Sequence, residues 1–248
     1  MKLHRIILIT LTLAVGFISV HAQHSHLNAG ASSHDHDAPL IFVNGSELSA
    51  ESGFQIALQL ATEGVYTGHF QGGLTFTSLP GTLETGGPDP DAAAPGAVVA
   101  VEMLGVAGPD GSVFAFWESG ATEPTHELPV GVSGVHQWLL SESDGSPGAD
   151  PFGHIHGRRW TATRPGIYDV VFRLVDVSTN GVSGGPIHSP SDPLTLRFVA
   201  GDGEELVVLE DGDFVISAAL QEGSLVTSLL ENDGHSGHAH DPLDPAKN

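Results

Sequence analysis

Imidazoles are the side chains in this sequence whose type and spacing point to chemistry. His154 and His156 stand two apart in Gly153-His154-Ile155-His156-Gly157. In a strand, residues two apart face the same way, so the spacing predicts two imidazoles side by side. Neutral imidazole is the commonest protein ligand for zinc and related ions. A closed tetrahedral site needs two more ligands. His24 and His26, a second His-x-His pair, are the first choice, with His136 and His69 as alternates. The chain holds 15 histidines and no cysteine, which removes thiolate zinc sites, disulfides and thiol catalysis together. The predicted ligand is a divalent transition metal ion, Zn2+ first, with Cu2+ or another divalent ion as alternatives.

Plainer readings stand beside each of these. His154 and His156 also fit an exposed polar face next to Trp160. His24 and His26 also fit a flexible N-terminus, and a lone histidine is more often structural than ligating. His34, His36, His235, His238 and His240 read as loose, low-affinity metal clusters, with plain solvated linker as the alternative.

Catalysis finds little support. Gly181-Val182-Ser183-Gly184-Gly185 matches a nucleophile-elbow pattern, but an elbow needs a strand before it and a helix after it. Pro186 and a polar loop follow, so a glycine-rich turn is expected. His-Glu-x-x-His and the phosphate-cradling Gly-x-x-x-x-Gly-Lys are both absent. Asp202-Gly203-Glu204 and Asp211-Gly212-Asp213 read as turns, with weak calcium binding as the alternative. The sequence therefore predicts no enzyme. An exported metalloenzyme, such as an oxygenase using two histidines and a carboxylate, is the third reading.

Charge narrows the partners. Thirty acidic residues face eight lysines and arginines, a net charge of -22. Such a surface repels nucleic acid and anionic lipid and attracts cations. Lys2 and Arg5 precede the apolar run Ile6 to Val20, and Val20-His21-Ala22 offers small residues for cleavage. Residues 1-22 therefore read as a signal peptide, too short in its apolar run for the ~20 residues that span a bilayer. The mature chain is expected outside the cytoplasm, periplasmic, secreted or on the cell surface, with no membrane span.

The elements that must hold the histidines read as strands. Leu40 to Val43, Phe54 to Leu60, Leu74 to Thr77, Ala97 to Leu104, Ser112 to Trp117 and Gln137 to Leu140 are β-prone. So are Arg159 to Ala162, Ile167 to Val177 and Leu194 to Val199. Gly, Pro and Asp turns separate them, as in Asn44-Gly45, Gly108-Pro109-Asp110-Gly111 and Pro165-Gly166. Short strands with almost no helical periodicity predict an all-β, antiparallel, immunoglobulin-like sandwich with disordered His-rich termini. The expected organisation is a His-rich segment at 23-39 and the sandwich at 40-200. An extension at 201-232 and a disordered tail at 233-248 follow. Within the extension, Asp213 to Asn232 fits either a helix or a strand pair.

Gly153 to Tyr168, with His154, His156, Trp160, Pro165, Gly166 and Tyr168, resembles the bacterial surface-anchored repeat domain of choice-of-anchor M type proteins. The spacing from the second histidine to the tryptophan is one residue longer here. Val99 to Glu118 and Ser191 to Val199 are similar to the family's aromatic strand segment and closing strand. Family members open with a strand bearing His-x-Asp, and His24-Ser25-His26 occupies the comparable place. The resemblance implies a β-sandwich, an association with zinc uptake and hence a metal-uptake transporter as possible partner. It implies no enzymatic activity. Together these readings predict an exported zinc-binding protein for metal capture or delivery. A non-catalytic structural or adhesive surface module is the runner-up.

Overall fold

A computed structural model describes residues 26-201 throughout and, beyond them, the strand backbones at 207-208, 214-215, 218-221 and 224-227. The first 201 residues supply β1 (His26–Ala31), β2 (Leu40–Phe42), β3 (Ile56–Leu60), β4 (Phe70–Gly72) and β5 (Thr75–Ser78). They continue with β6 (Val99–Ala107), β7 (Val113–Trp117), β8 (His126–Pro129), β9 (Ser133–Leu139) and β10 (Gly153–His154). β11 (Arg159–Ala162), β12 (Gly166–Asp176) and β13 (Leu194–Gly201) complete the set. Among the described residues, one α-helical turn, α1 (Gly45–Leu48), follows Asn44, so the turn expected at Asn44-Gly45 is a helical one.

Two sheets result. One runs β10-β5-β1-β2 and the other β8-β7-β11-β4-β3-β13-β12-β6-β9. Both are mixed: β1 runs parallel to β5, and β3 parallel to β13. The purely antiparallel arrangement expected from the sequence is thus not what the described residues form. Alternation and turns reveal strands, but a long connection hides the direction in which the next strand returns.

The sheets share one aromatic core. On β12 the alternation is regular, with Tyr168, Val170, Phe172 and Leu174 fully buried while Asp169 and Arg173 pair with Arg197 and Glu102 at the outer face. Trp160, fully buried, lies 5.8 Å from Phe76 of the smaller sheet and 5.3 Å from Phe172 of the larger. Its indole N–H donates to the Leu74 carbonyl at 3.1 Å. The Tyr168 hydroxyl donates to the Arg164 carbonyl at 2.7 Å and closes the turn before β12.

Within the expected His-rich segment, β1 belongs to this core. Leu27, Ala29 and Ala31 of β1 are all fully buried, so β1 is an inner strand of the smaller sheet. Its small residues explain why hydropathy concealed it: two of three inward positions are alanine, which carries little apolar signal. Further along, β14 (Val207–Val208) pairs with β15 (Phe214–Val215), and β16 (Ala218–Gln221) with β17 (Ser224–Thr227), both antiparallel. In the stretch open to either reading, the described residues are strands.

Candidate functional site

β5 lies between β1 and β10 and registers the candidate histidines. His26 stands opposite Thr75 and Asn28 opposite Thr77, while His154 stands opposite Thr77 from the other side. Residues directly paired across a ladder share a face, so His26, Thr77 and His154 lie on one face. Leu27 and Phe76 lie on the other, against the core. Asn44 fixes the start of β1. Its amide donates to the His26 carbonyl and accepts from the Asn28 N–H, both at 2.8 Å. Gly153 is required next to His154, because a Cβ there would land on the Leu140 carbonyl oxygen.

The rings of His26 and His154 are stacked, 4.8 Å apart and 12° from parallel. His156 meets His154 edge-on at 4.3 Å. β10 ends at His154, so a turn through Gly157, at φ +86°, folds His156 back; strand pleating does not place it. The Thr77 Oγ1 lies 3.2 Å from His26 Nδ1 and 2.9 Å from His154 Nδ1. A hydroxyl oxygen accepts two hydrogen bonds. With the proton on Nδ1 of both rings, one threonine orients both imidazoles and leaves both Nε2 lone pairs free, the supporting interaction metal-bound histidines ordinarily have.

Burial holds the His154 pKa below its ordinary value, and the neighbouring His156 and His26 push it the same way. Glu142 opposes them, its carboxylate accepting the His154 backbone N–H at 3.0 Å. An acid-lined hollow of about 550 Å³, bordered by Glu84, Glu142, Asp150 and Phe152, opens beside this loop. Such carboxylates concentrate cations locally.

Among the described residues, no group of three or more His, Asp and Glu side chains stands in metal-holding geometry. The physical reason is visible in the stack. Ring nitrogens must converge to about 2.0–2.1 Å from one zinc ion, whereas stacked rings hold their lone pairs side by side. The residue types fit zinc, and the cluster is assembled but not converged; one ring must turn.

The other candidates divide. His24 lies outside the described residues, as do the predicted signal peptide, His235, His238, His240 and the Asp202 and Asp211 turns. His136 joins a different neighbour, with its ring 5.2 Å from His126. His69 packs edge-on to Trp117 at 6.0 Å. His34 bonds the Asp89 carbonyl at 3.0 Å. His188, the most buried histidine described, has both nitrogens engaged: Nε2 accepts from Ala94 N–H at 2.8 Å, and Nδ1–H donates to the Ala38 carbonyl at 3.0 Å. The Gly181 to Gly185 segment is a single 3-10 turn at Val182–Gly184 with Ser183 at φ +60°. It has neither the strand nor the helix of an elbow.

Sequence reasoning missed three residues of interest. Thr77 and Glu142 act through register and loop path, for which no spacing signal exists. His126 shares a face with buried Leu128 across exposed Glu127, a period-2 pattern too short to stand out between Pro124 and Pro129. Compared with protein families, curated proteins and solved structures, the chain matches none.

Proposed function

We propose that this protein is an exported, non-catalytic binder of a divalent transition metal ion, zinc foremost, which it captures as cargo through His26, His154 and His156. The observation that carries the reading is the meeting of three imidazoles from two distant segments, His26 and His154 on one sheet face and His156 from the following turn, with one threonine hydroxyl serving two of them. Of the expected pair His24 and His26, the reading rests on His26, whose ring lies 4.8 Å from that of His154. Glu142, already bonded to the His154 backbone, is our choice for the fourth ligand. The acidic hollow and the net charge of -22 favour approach of cations.

Closing the site needs His26 to turn out of the stack, while Thr77 keeps its bond to His154. His156 is exposed, and staggered side-chain wells exchange readily at a surface. Calorimetric zinc titration of the chain from Gln23 tests the reading. One equivalent of zinc is expected to disappear in His154→Ala/His156→Ala, and His26→Ala alone should weaken the same equivalent. Zinc binding identical in His154→Ala/His156→Ala and the parent protein would sink the proposal.

A further inference from the structure

β8 and β9 are the outermost strands of the nine-stranded sheet. Each is bonded on one side only, β8 to β7 and β9 to β6. Yet the two edges approach each other. His126 of β8 and His136 of β9 bring their rings within 5.2 Å, inclined at 45°. Side chains close the seam in place of a ladder. Trp138 stacks on Phe116 at 4.2 Å. Arg158, ion-paired to Glu118 at 2.7 Å, donates to the Leu139 carbonyl at 2.9 Å.

On β9, His136 and Trp138 alternate with the exposed Val135, Gln137 and Leu139; on β8, His126 alternates with exposed Glu127. Both imidazoles are therefore on the inward side, half-buried, with access to water from the seam. Trp138 Nε1 is buried and finds no hydrogen-bond partner among the described residues.

We propose that His126 and His136 form a second transition-metal site, a two-imidazole clamp across the seam, distinct from the His26, His154 and His156 cluster. Two imidazoles on separate strands suit a borderline divalent ion such as Cu2+, Ni2+ or Zn2+. Their rings are inclined at 45°, not stacked in parallel as in the first cluster. Water is the ligand expected in the remaining positions. Because the two ligands come from edges with no ladder between them, the ion acts as a clasp on the larger sheet. The site stands whether or not the first cluster binds zinc.

Cu2+ titration of the chain from Gln23, followed by tryptophan emission, tests this, since Cu2+ quenches an indole only at short range. Saturable quenching is expected to survive in His154→Ala/His156→Ala and to require about tenfold more Cu2+ or greater in His136→Gln, which removes one of two ligands. Equal quenching curves for His136→Gln and the parent overturn the proposal, as does quenching that vanishes with His154→Ala/His156→Ala. A readout free of any variant is the imidazole nitrogen spectrum of the parent protein during Zn2+ titration. The His126 and His136 ring signals should shift together; their remaining fixed while zinc binds elsewhere overturns the seam site and leaves the first cluster untouched.

Discussion

His188 and His154 show two uses of the same ring. His188 is 1 % exposed, and each of its nitrogens is engaged by backbone, one as donor and one as acceptor. Its neutral tautomer is thereby fixed, and nothing remains to bind an ion. His154 sits at the end of a two-residue strand, with a threonine at Nδ1 and two more imidazoles within 5 Å. Burial lowers the pKa of both. What separates a structural histidine from a ligand candidate here is therefore whether a nitrogen is left over. The surroundings of His188 reinforce the contrast. The Asp176 carboxylate accepts backbone N–H groups from Val98, Ser178, Ile187 and His188 at 2.8–3.1 Å, which locks the whole loop.

The largest expected effect tests that contrast directly. His188→Ala orphans the Ala94 N–H and the Ala38 carbonyl and leaves a cavity. It should cost about 3 kcal/mol or more of unfolding free energy. His154→Ala, at a partly exposed position, should change metal-free stability by no more than about 1 kcal/mol. Urea denaturation in chelator measures both. Equal losses would mean that His154 is as structural as His188.

A second, smaller effect follows from the direction of the His188 titration. Burial is the main cause of its lowered pKa; the bond to the Ala38 carbonyl and the charge of Asp176 oppose it, and His34 and His36 add to it. The folded state then binds fewer protons than the unfolded chain, whose histidine titrates near ~6.5. Stability therefore rises with pH across the interval between the two values. The contribution is full above ~6.5 and is lost as pH falls from there toward the folded pKa. His154 and His126 are lowered as well, and their terms carry the same sign. Chelated protein should unfold at lower urea as pH falls below ~6.5, and His188→Gln should flatten that slope more than His154→Gln. An equal slope in both variants would remove His188 from its place in the comparison.

How much of this was legible in the sequence depends on the kind of signal. Strands with strong alternation or long β-branched runs stood out, as β6, β7, β11, β12 and β13 did. β1 was hidden by its alanines, and β8 and β10 by their length. Parallel pairing left no trace, because pairing direction is set by chain path and not by residue pattern. The approach of His26 to His154 was suggested by matched His-x-His spacing, although the pleat argument for His156 failed once β10 ended at His154. His136 carried the right residue type but found its neighbour across a seam between sheet edges. His188 looked like any other histidine, since only the fold shows that its nitrogens are spent on Ala94 and Ala38.

Thr77→Val gives the smallest structural change and the sharpest test of what a leftover nitrogen needs. Valine matches threonine in size at a position 8 % exposed, and β-branching keeps it suited to β5. Only the hydroxyl is lost. The Nδ1 atoms of His26 and His154 then face water, and their rings lose the group that aims Nε2. Metal-free stability should shift by about 1 kcal/mol at most. Zinc affinity should fall by about tenfold or more, the scale on which the partner of a metal-bound histidine acts. A parallel His188→Ala protein should keep its zinc affinity wherever it remains folded, because its ring lies in a different hydrogen-bond network. Unchanged affinity in Thr77→Val would mean that the two imidazoles orient themselves on the ion without help from β5. The register that places Thr77 between them would then be a matter of packing alone.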